Sequence, residues 1–350
     1  IFNAGSAVTI TNESRVQANA AGSGGGLWNQ DAGLVIIDAS TVASNTATDG
    51  GGLFSVDIGS AIALTNGSLI QANTVISYGG GIFNGSGSLV TVDGSALAGN
   101  TAEQGGAIFN QFAGSGITIT NGTLQENLAT SYGGGIINLD GATVSIQASN
   151  LISNTANSGA GVHNEDAGSL VTIGAGSQLR GNQGTGEFST GGGLSNILTG
   201  AIHISGNTLL LANQADYGGS VYNGLAGSLS IEESEIRANI AITSGGGIYH
   251  TGSGSLTIDN SLLQENRALE GYGGAIRNLG LASIDQSQIL SNTAAAGVGG
   301  AVASGVAGGG TLTGTFAITN SVLLNNSAGQ GGAIHEFSGS GSVTASCIMQ

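Results

Sequence analysis

An aliphatic residue followed three positions later by asparagine recurs twelve times along this chain at a nearly constant interval, and no other feature limits its fold so tightly. The pairs are Val16/Asn19, Val42/Asn45, Ile70/Asn73, Leu97/Asn100, Leu124/Asn127, Leu151/Asn154, Leu179/Asn182, Leu210/Asn213, Ile236/Asn239, Leu263/Asn266, Ile289/Asn292 and Leu323/Asn326. Nine of the eleven Asn-to-Asn spacings fall between 26 and 28, so the period is near 27. A period of this size marks a repeat whose units bury their apolar faces against one another. Five residues before the Asn stands a serine in ten of the twelve copies: Ser14, Ser40, Ser68, Ser95, Ser149, Ser177, Ser234, Ser261, Ser287 and Ser321. A few residues after the Asn comes a glycine-rich step into a short apolar run, as in Gly80-Gly81-Ile82-Phe83-Asn84 or Gly134-Gly135-Ile136-Ile137-Asn138.

Between these signals lie alternating pieces such as Val90-Thr91-Val92, Ile117-Thr118-Ile119 and Leu256-Thr257-Ile258. Period-2 alternation of β-branched residues bounded by Gly and Ser is strand chemistry, and no segment shows a helical period. About three short strands and three turns per repeat cannot bury a core alone, so each turn of chain must stack on the last. Stacking pairs every N–H and C=O along one direction, and a proline would delete a ladder donor. The chain of 350 residues has none. The expected fold is all-β: a right-handed parallel β-helix, or solenoid, of about 12–13 rungs running through residues 1–350 as one continuous domain. At ~4.8 Å per rung it forms a rod about 60 Å long. Both ends read as cut from a longer chain, because Ile1-Phe2-Asn3 resembles the tail of a Gly-Gly-Ile-Phe-Asn strand and Gln350 stops one residue short of the next ladder position.

The twelve ladder asparagines, Asn19, Asn45, Asn73, Asn100, Asn127, Asn154, Asn182, Asn213, Asn239, Asn266, Asn292 and Asn326, are read as a structural column. At a corner, an Asn side chain tolerates left-handed backbone and bonds the Asn above and below. The serines do the same more weakly, while the glycine pairs supply positive φ and let stacked backbones approach.

The combination of Gly-Gly-Ala-Ile or Gly-Gly-Gly-Ile with an upstream Leu/Ile/Val-x-x-Asn followed by Thr-Ala resembles the polymorphic outer-membrane protein repeat of bacterial autotransporter passengers and large surface proteins, with an aliphatic residue where that family has Phe. The resemblance covers the whole chain. It implies a β-helix at the bacterial cell surface or outside the cell, and it brings no catalytic residue.

Charge sets the remaining limits. Five Arg, no Lys and 21 acids give a formal charge of -16, which leaves no basic stripe for nucleic acid or anionic membrane surfaces. No apolar stretch reaches the roughly 18 residues of a membrane-spanning helix. The single Cys347 forms no internal disulfide, and the four His are too far apart in sequence to suggest zinc. Two features are candidate sites. The residue after the glycine-aliphatic core is aromatic at Phe2, Trp28, Phe54, Phe83 and Phe109 and again at Tyr222 and Tyr249, an outward contact stripe for sugar faces or another rod. Seven residues before the ladder Asn, Glu232, Asp259 and Asp285 stack on adjacent rungs, where a recessed column would recruit a calcium ion; no other cofactor is indicated. The Asn-x-Asp turns at Asn29/Asp31, Asn138/Asp140 and Asn164/Asp166 are read as Asx-turns or weak calcium loops.

These readings favour a non-catalytic extracellular rod, structural or adhesive, whose partners are copies of itself, neighbouring surface proteins or glycans. The alternative is a polysaccharide lyase or hydrolase on the same scaffold. Uniform rungs oppose it: only the spacings 182 to 213 and 292 to 326 leave extra residues, about four and seven. An ice-binding rod would want a regular threonine array, and Thr9, Thr91, Thr118, Thr172 and Thr257 are too interrupted.

Overall fold

The structure, a computed structural model, describes residues 1–306 and 313–349. Contacts gather the chain into two compact units, Ile1–Thr172 and Ile173–Gln350. Among the described residues there is no helix; each unit is a stack of parallel strands, the β-solenoid expected from the repeat.

In the first unit a rung carries four strands rather than three. The fourth rung runs through Ile82–Gly85, Leu89–Asp93, Ala96–Ala98 and Thr101–Gln104. The additional strand is the short piece after the ladder Asn, which the sequence reading left inside a turn. Register is residue for residue: Val90, Thr91 and Val92 lie over Ile117, Thr118 and Ile119, and Leu97 lies over Leu124. Alternation then sorts the side chains. Ile82, Val90, Val92 and Leu97 are buried in the interior, whereas Leu89 and Thr91 face out. The second unit repeats the plan, and in two rungs its first and second strands fuse into Ile248–Asp259 and Ile276–Asp285. The strand before the ladder Asn recurs six times in the first unit and seven in the second, matching the expected rung number.

The turns divide the labour differently from the sequence reading. Positive φ falls not on the ladder Asn but on the residue before it: Ser44, Ala72, Gly99 and Glu126 have φ between 51° and 59°. At Gly99 an added Cβ would meet nothing within 4 Å, which explains why other rungs carry Ala, Ser or Glu there. The glycine pair has a separate task. Positive φ belongs to Gly79, just ahead of the pair, where a Cβ would lie 2.4 Å from the Ile82 carbonyl oxygen. A Cβ on Gly80 would lie 2.4 Å from the carbonyl oxygen of Gly106 on the next rung, so that position is excluded by rung spacing itself.

Candidate functional site

The ladder is the most regular chemistry in the molecule. In the first unit the side-chain amides of Asn45, Asn73 and Asn100 each donate to the Oδ1 of the next rung's Asn at 3.0 Å. The same Oδ1 also accepts the backbone N–H of the donating Asn, at 2.9 to 3.1 Å. The second unit repeats this from Asn182 through Asn213, Asn239, Asn266 and Asn292 to Asn326. The serine column behaves as expected. The backbone N–H of Ser234, Ser261 and Ser287 donates to the next serine Oγ at 3.1 to 3.2 Å.

A second amide ladder lies inside the first strand. Asn3, Asn29, Asn84, Asn110, Asn138 and Asn164 are buried in the first unit, with Asn84 donating to Asn110, Asn110 to Asn138 and Asn138 to Asn164 at 2.7 to 2.8 Å. Asn196 donates to Asn223 in the second unit, and Asn223 donates in turn to His250 Nδ1 at 3.0 Å. His250 is fully buried and stands where other rungs have Asn; burial lowers its pKa and holds the ring neutral. The sequence signal for this ladder was the Asn closing the Gly-Gly-aliphatic-x-Asn motif.

The aromatic residues do align in register, but as a spine rather than an open stripe. Phe2, Trp28, Phe54, Phe83 and Phe109 are successive register partners. Phe54, Phe83 and Phe109 stack nearly parallel, at 4.6 and 5.1 Å with interplanar angles of 14° and 12°. Faces that would meet a sugar are therefore turned toward neighbouring rings, and the edges point outward. Phe109 is buried, only 2% exposed, with Tyr78 packed on it at 4.7 Å. Phe2, at 66%, is the exposed member. Tyr222 and Tyr249 stack at 5.6 Å in the second unit, with Tyr217 edge-on to Tyr249; burial pushes the Tyr222 and Tyr249 phenols above their usual pKa. The tyrosines just before the glycine step, Tyr78, Tyr132, Tyr217 and Tyr272, form a flanking set that the sequence reading missed.

Polar residues stand in the same register position at His163, Ser195, Arg277 and His335. His163, fully buried beneath Tyr132, lies 3.1 Å from Ser158 Oγ through Nδ1 and 3.0 Å from Glu165 Oε2 through Nε2. The Ser–His–Glu order resembles a nucleophile relay, with the imidazole fully buried and Ser158 6% exposed. Arg277 is the register partner of Tyr249.

Glu232, Asp259 and Asp285 stack in register as expected. Their carboxylates do not converge. Glu232 accepts from Ser230 at 3.0 Å, whereas Asp285 accepts from Thr319 at 2.6 Å and from Asn320 at 2.9 Å. Those two bonds hold the Asp285 carboxyl below its ordinary pKa. Among the described residues no group of three or more His, Cys, Asp or Glu side chains is placed to hold a metal ion. Asp31, Asp140 and Asp166 sit at φ 55°, 52° and 75° in turns tied by Asn side chains, since Asn29 donates to the Gly33 carbonyl and Asn138 to that of Ala142. Burial, the neighbouring Glu165 and a shared hydrogen bond with Asp140 raise the Asp166 pKa.

Of the two longer repeats, the one between 182 and 213 presents Phe188, 71% exposed, and ties Ser189 to Asp216 through paired hydrogen bonds of 2.9 and 3.0 Å. The extra residues between 292 and 326 fall largely at 307–312, outside the described residues. Threonines on the outward face alternate with other residues, Thr9 being followed by Ile36, Ala63, Thr91, Thr118 and Ser145. No protein-family profile, curated protein or solved structure matches the chain.

Proposed function

We propose that this chain is a non-catalytic structural or adhesive scaffold of the bacterial cell surface, making its contacts to copies of itself, neighbouring surface proteins or glycans. One observation carries the reading: side-chain amides in both columns are committed to joining one rung to the next, through buried bonds of 2.7 to 3.0 Å. Polar groups spent on rung-to-rung bonding are unavailable for proton transfer or substrate binding. The resemblance of the repeat to that of surface proteins supports the location. The outward faces of the first unit add to it, since Leu34, Ile36, Ala61, Ala63, Leu89 and Thr91 are uncharged and in register, which suits contact with another surface.

The test has two arms. Intact cells expressing the full-length gene are labelled with antibody to this segment, and labelling without permeabilisation is expected. The purified chain is then incubated with polygalacturonate, alginate, xylan and cellulose. Appearance of reducing ends or unsaturated uronates above background would overturn the non-catalytic reading, and labelling confined to permeabilised cells would overturn the location.

A further inference from the structure

Arg277 is 5% exposed in a chain whose acids outnumber its cations 21 to 5. Its guanidinium lies 5.1 Å from the ring centre of Tyr272 and 5.5 Å from that of Phe337, and those two rings meet edge-on at 5.3 Å. Such contacts satisfy the faces of the cation but leave its in-plane N–H donors to find oxygen. One of them does: Nη1 donates to the Ala303 carbonyl at 3.2 Å. Nε and Nη2 make no hydrogen bond among the described residues and are not sealed from solvent. No carboxylate oxygen of the described residues comes within 4.0 Å of the guanidinium. Glu336 acts on it electrostatically from beyond ion-pair distance, and burial raises the pKa of the Glu336 carboxyl. A mostly buried cation without an ion pair is a costly arrangement for a chain that has acids to spare.

We infer that Arg277, clamped by Tyr272 and Phe337, anchors a binding site for a single carboxylate carried on an otherwise neutral sugar. A guanidinium presents donors in a planar fork that matches a carboxylate, and ring contacts fix that plane before the ligand arrives. The formal charge of -16 repels a polyanion. Screening beyond about 8 Å in physiological salt still lets one local cation hold one carboxylate. The sugar body is favoured because Tyr272, 38% exposed, offers a ring and a hydroxyl beside the fork, as a polyhydroxylated ligand requires. This goes beyond the scaffold reading and is separable from it: sugar binding fails or succeeds independently of whether the polysaccharide panel is cut.

The experiment is a titration by protein-observed NMR with methyl β-glucuronoside, methyl β-glucoside and an N-acetylated dipeptide with a free carboxylate. The glucuronoside is expected to bind at least tenfold more tightly than the glucoside, and Arg277→Gln to reduce that preference to within twofold. Glu336→Gln removes a competing charge without touching the cation, and two- to threefold tighter glucuronoside binding is expected, so the proposal stays testable if Arg277→Gln does not fold. Equal binding of glucuronoside and glucoside, or an unchanged preference in a folded Arg277→Gln, overturns the site. Peptide binding as tight as that of the glucuronoside overturns its assignment to sugars.

Discussion

Replacing Asn100 by alanine isolates what the ladder contributes. Its side chain takes part in four bonds: Oδ1 accepts the Asn73 backbone N–H at 3.1 Å and its amide at 3.0 Å, while Nδ2 donates to the Ile70 carbonyl and to Asn127 Oδ1, both at 3.0 Å. The partners do not suffer equally. Asn73 Nδ2 retains the Val42 carbonyl at 3.2 Å, and Asn127 Oδ1 retains the Asn100 backbone N–H, but the buried Asn73 N–H is stranded. A stranded buried donor costs about 1–3 kcal/mol and each lost net bond about 1 kcal/mol, which gives roughly 4 kcal/mol for Asn100→Ala. At 1.4 kcal/mol per decade this is close to a thousandfold in local opening. Because neighbouring rungs share the loss, hydrogen exchange is the right assay: the amides of Asn73 and Thr101 should accelerate about a thousandfold, and that of Ile136 much less. Asn19→Ala is the control, since that side chain is exposed and donates one bond, to Asn45, so its effect should stay within about 1 kcal/mol. Less than tenfold acceleration at Asn73, or equal effects for Asn19 and Asn100, would refute the argument.

Gly80→Ala forces a Cβ against the next rung's carbonyl and should lower stability in urea by about 2–3 kcal/mol, while Gly99→Ala, into open space, should cost only the strain of its left-handed backbone, about 1–2 kcal/mol. His250 is held neutral by burial, so the unfolded chain takes up its proton first as pH falls. Stability of the second unit should therefore be level above the usual imidazole pKa of about 6.5 and decline below it, and His250→Asn, which restores the ladder residue, should flatten that decline between about pH 7 and 5 in denaturation curves. Phe54→Ala removes the ring between Trp28 at 4.9 Å and Phe83 at 4.6 Å; emission from the chain's one tryptophan should shift to the red, with a loss of about 2 kcal/mol.

Much of the fold was legible because the constraint is periodic. Asn100 and Asn127 stand on adjacent rungs since the 27-residue interval leaves a parallel stack few other solutions, and the Ser234 to Ser321 column follows from the same count. Spacing does not give the direction in which a side chain points. The inner Asn84, Asn110 and Asn138 carried their signal in plain view, yet a strand-end Asn reads equally as a turn residue. The Phe83 and Phe109 rings were placed on the correct side of the strand, but their mutual stacking and the cover from Tyr78 depend on rotamers and on a neighbouring turn. Positive φ was assigned to the ladder Asn and belongs one residue earlier, at Ser44 and Ala72, because the turn puts its strain where a Cβ finds room. Arg277 gave no sequence signal beyond interrupting an aromatic series.

The ladders also possess an arrow. In both columns the side-chain amide of one rung donates to the side-chain oxygen of the next, and in the outer column its other N–H reaches back to the previous rung's carbonyl, as Asn100 does to Ile70, so Asn73 waits on Asn100 and Asn84 waits on Asn110. A newly wound coil consequently finishes its predecessor while one N–H of its own ladder amide still awaits an acceptor, and an unpaired donor is less tolerable in a dry interior than an unpaired oxygen. Winding that follows the direction of synthesis therefore has a built-in pull toward the coil still to come.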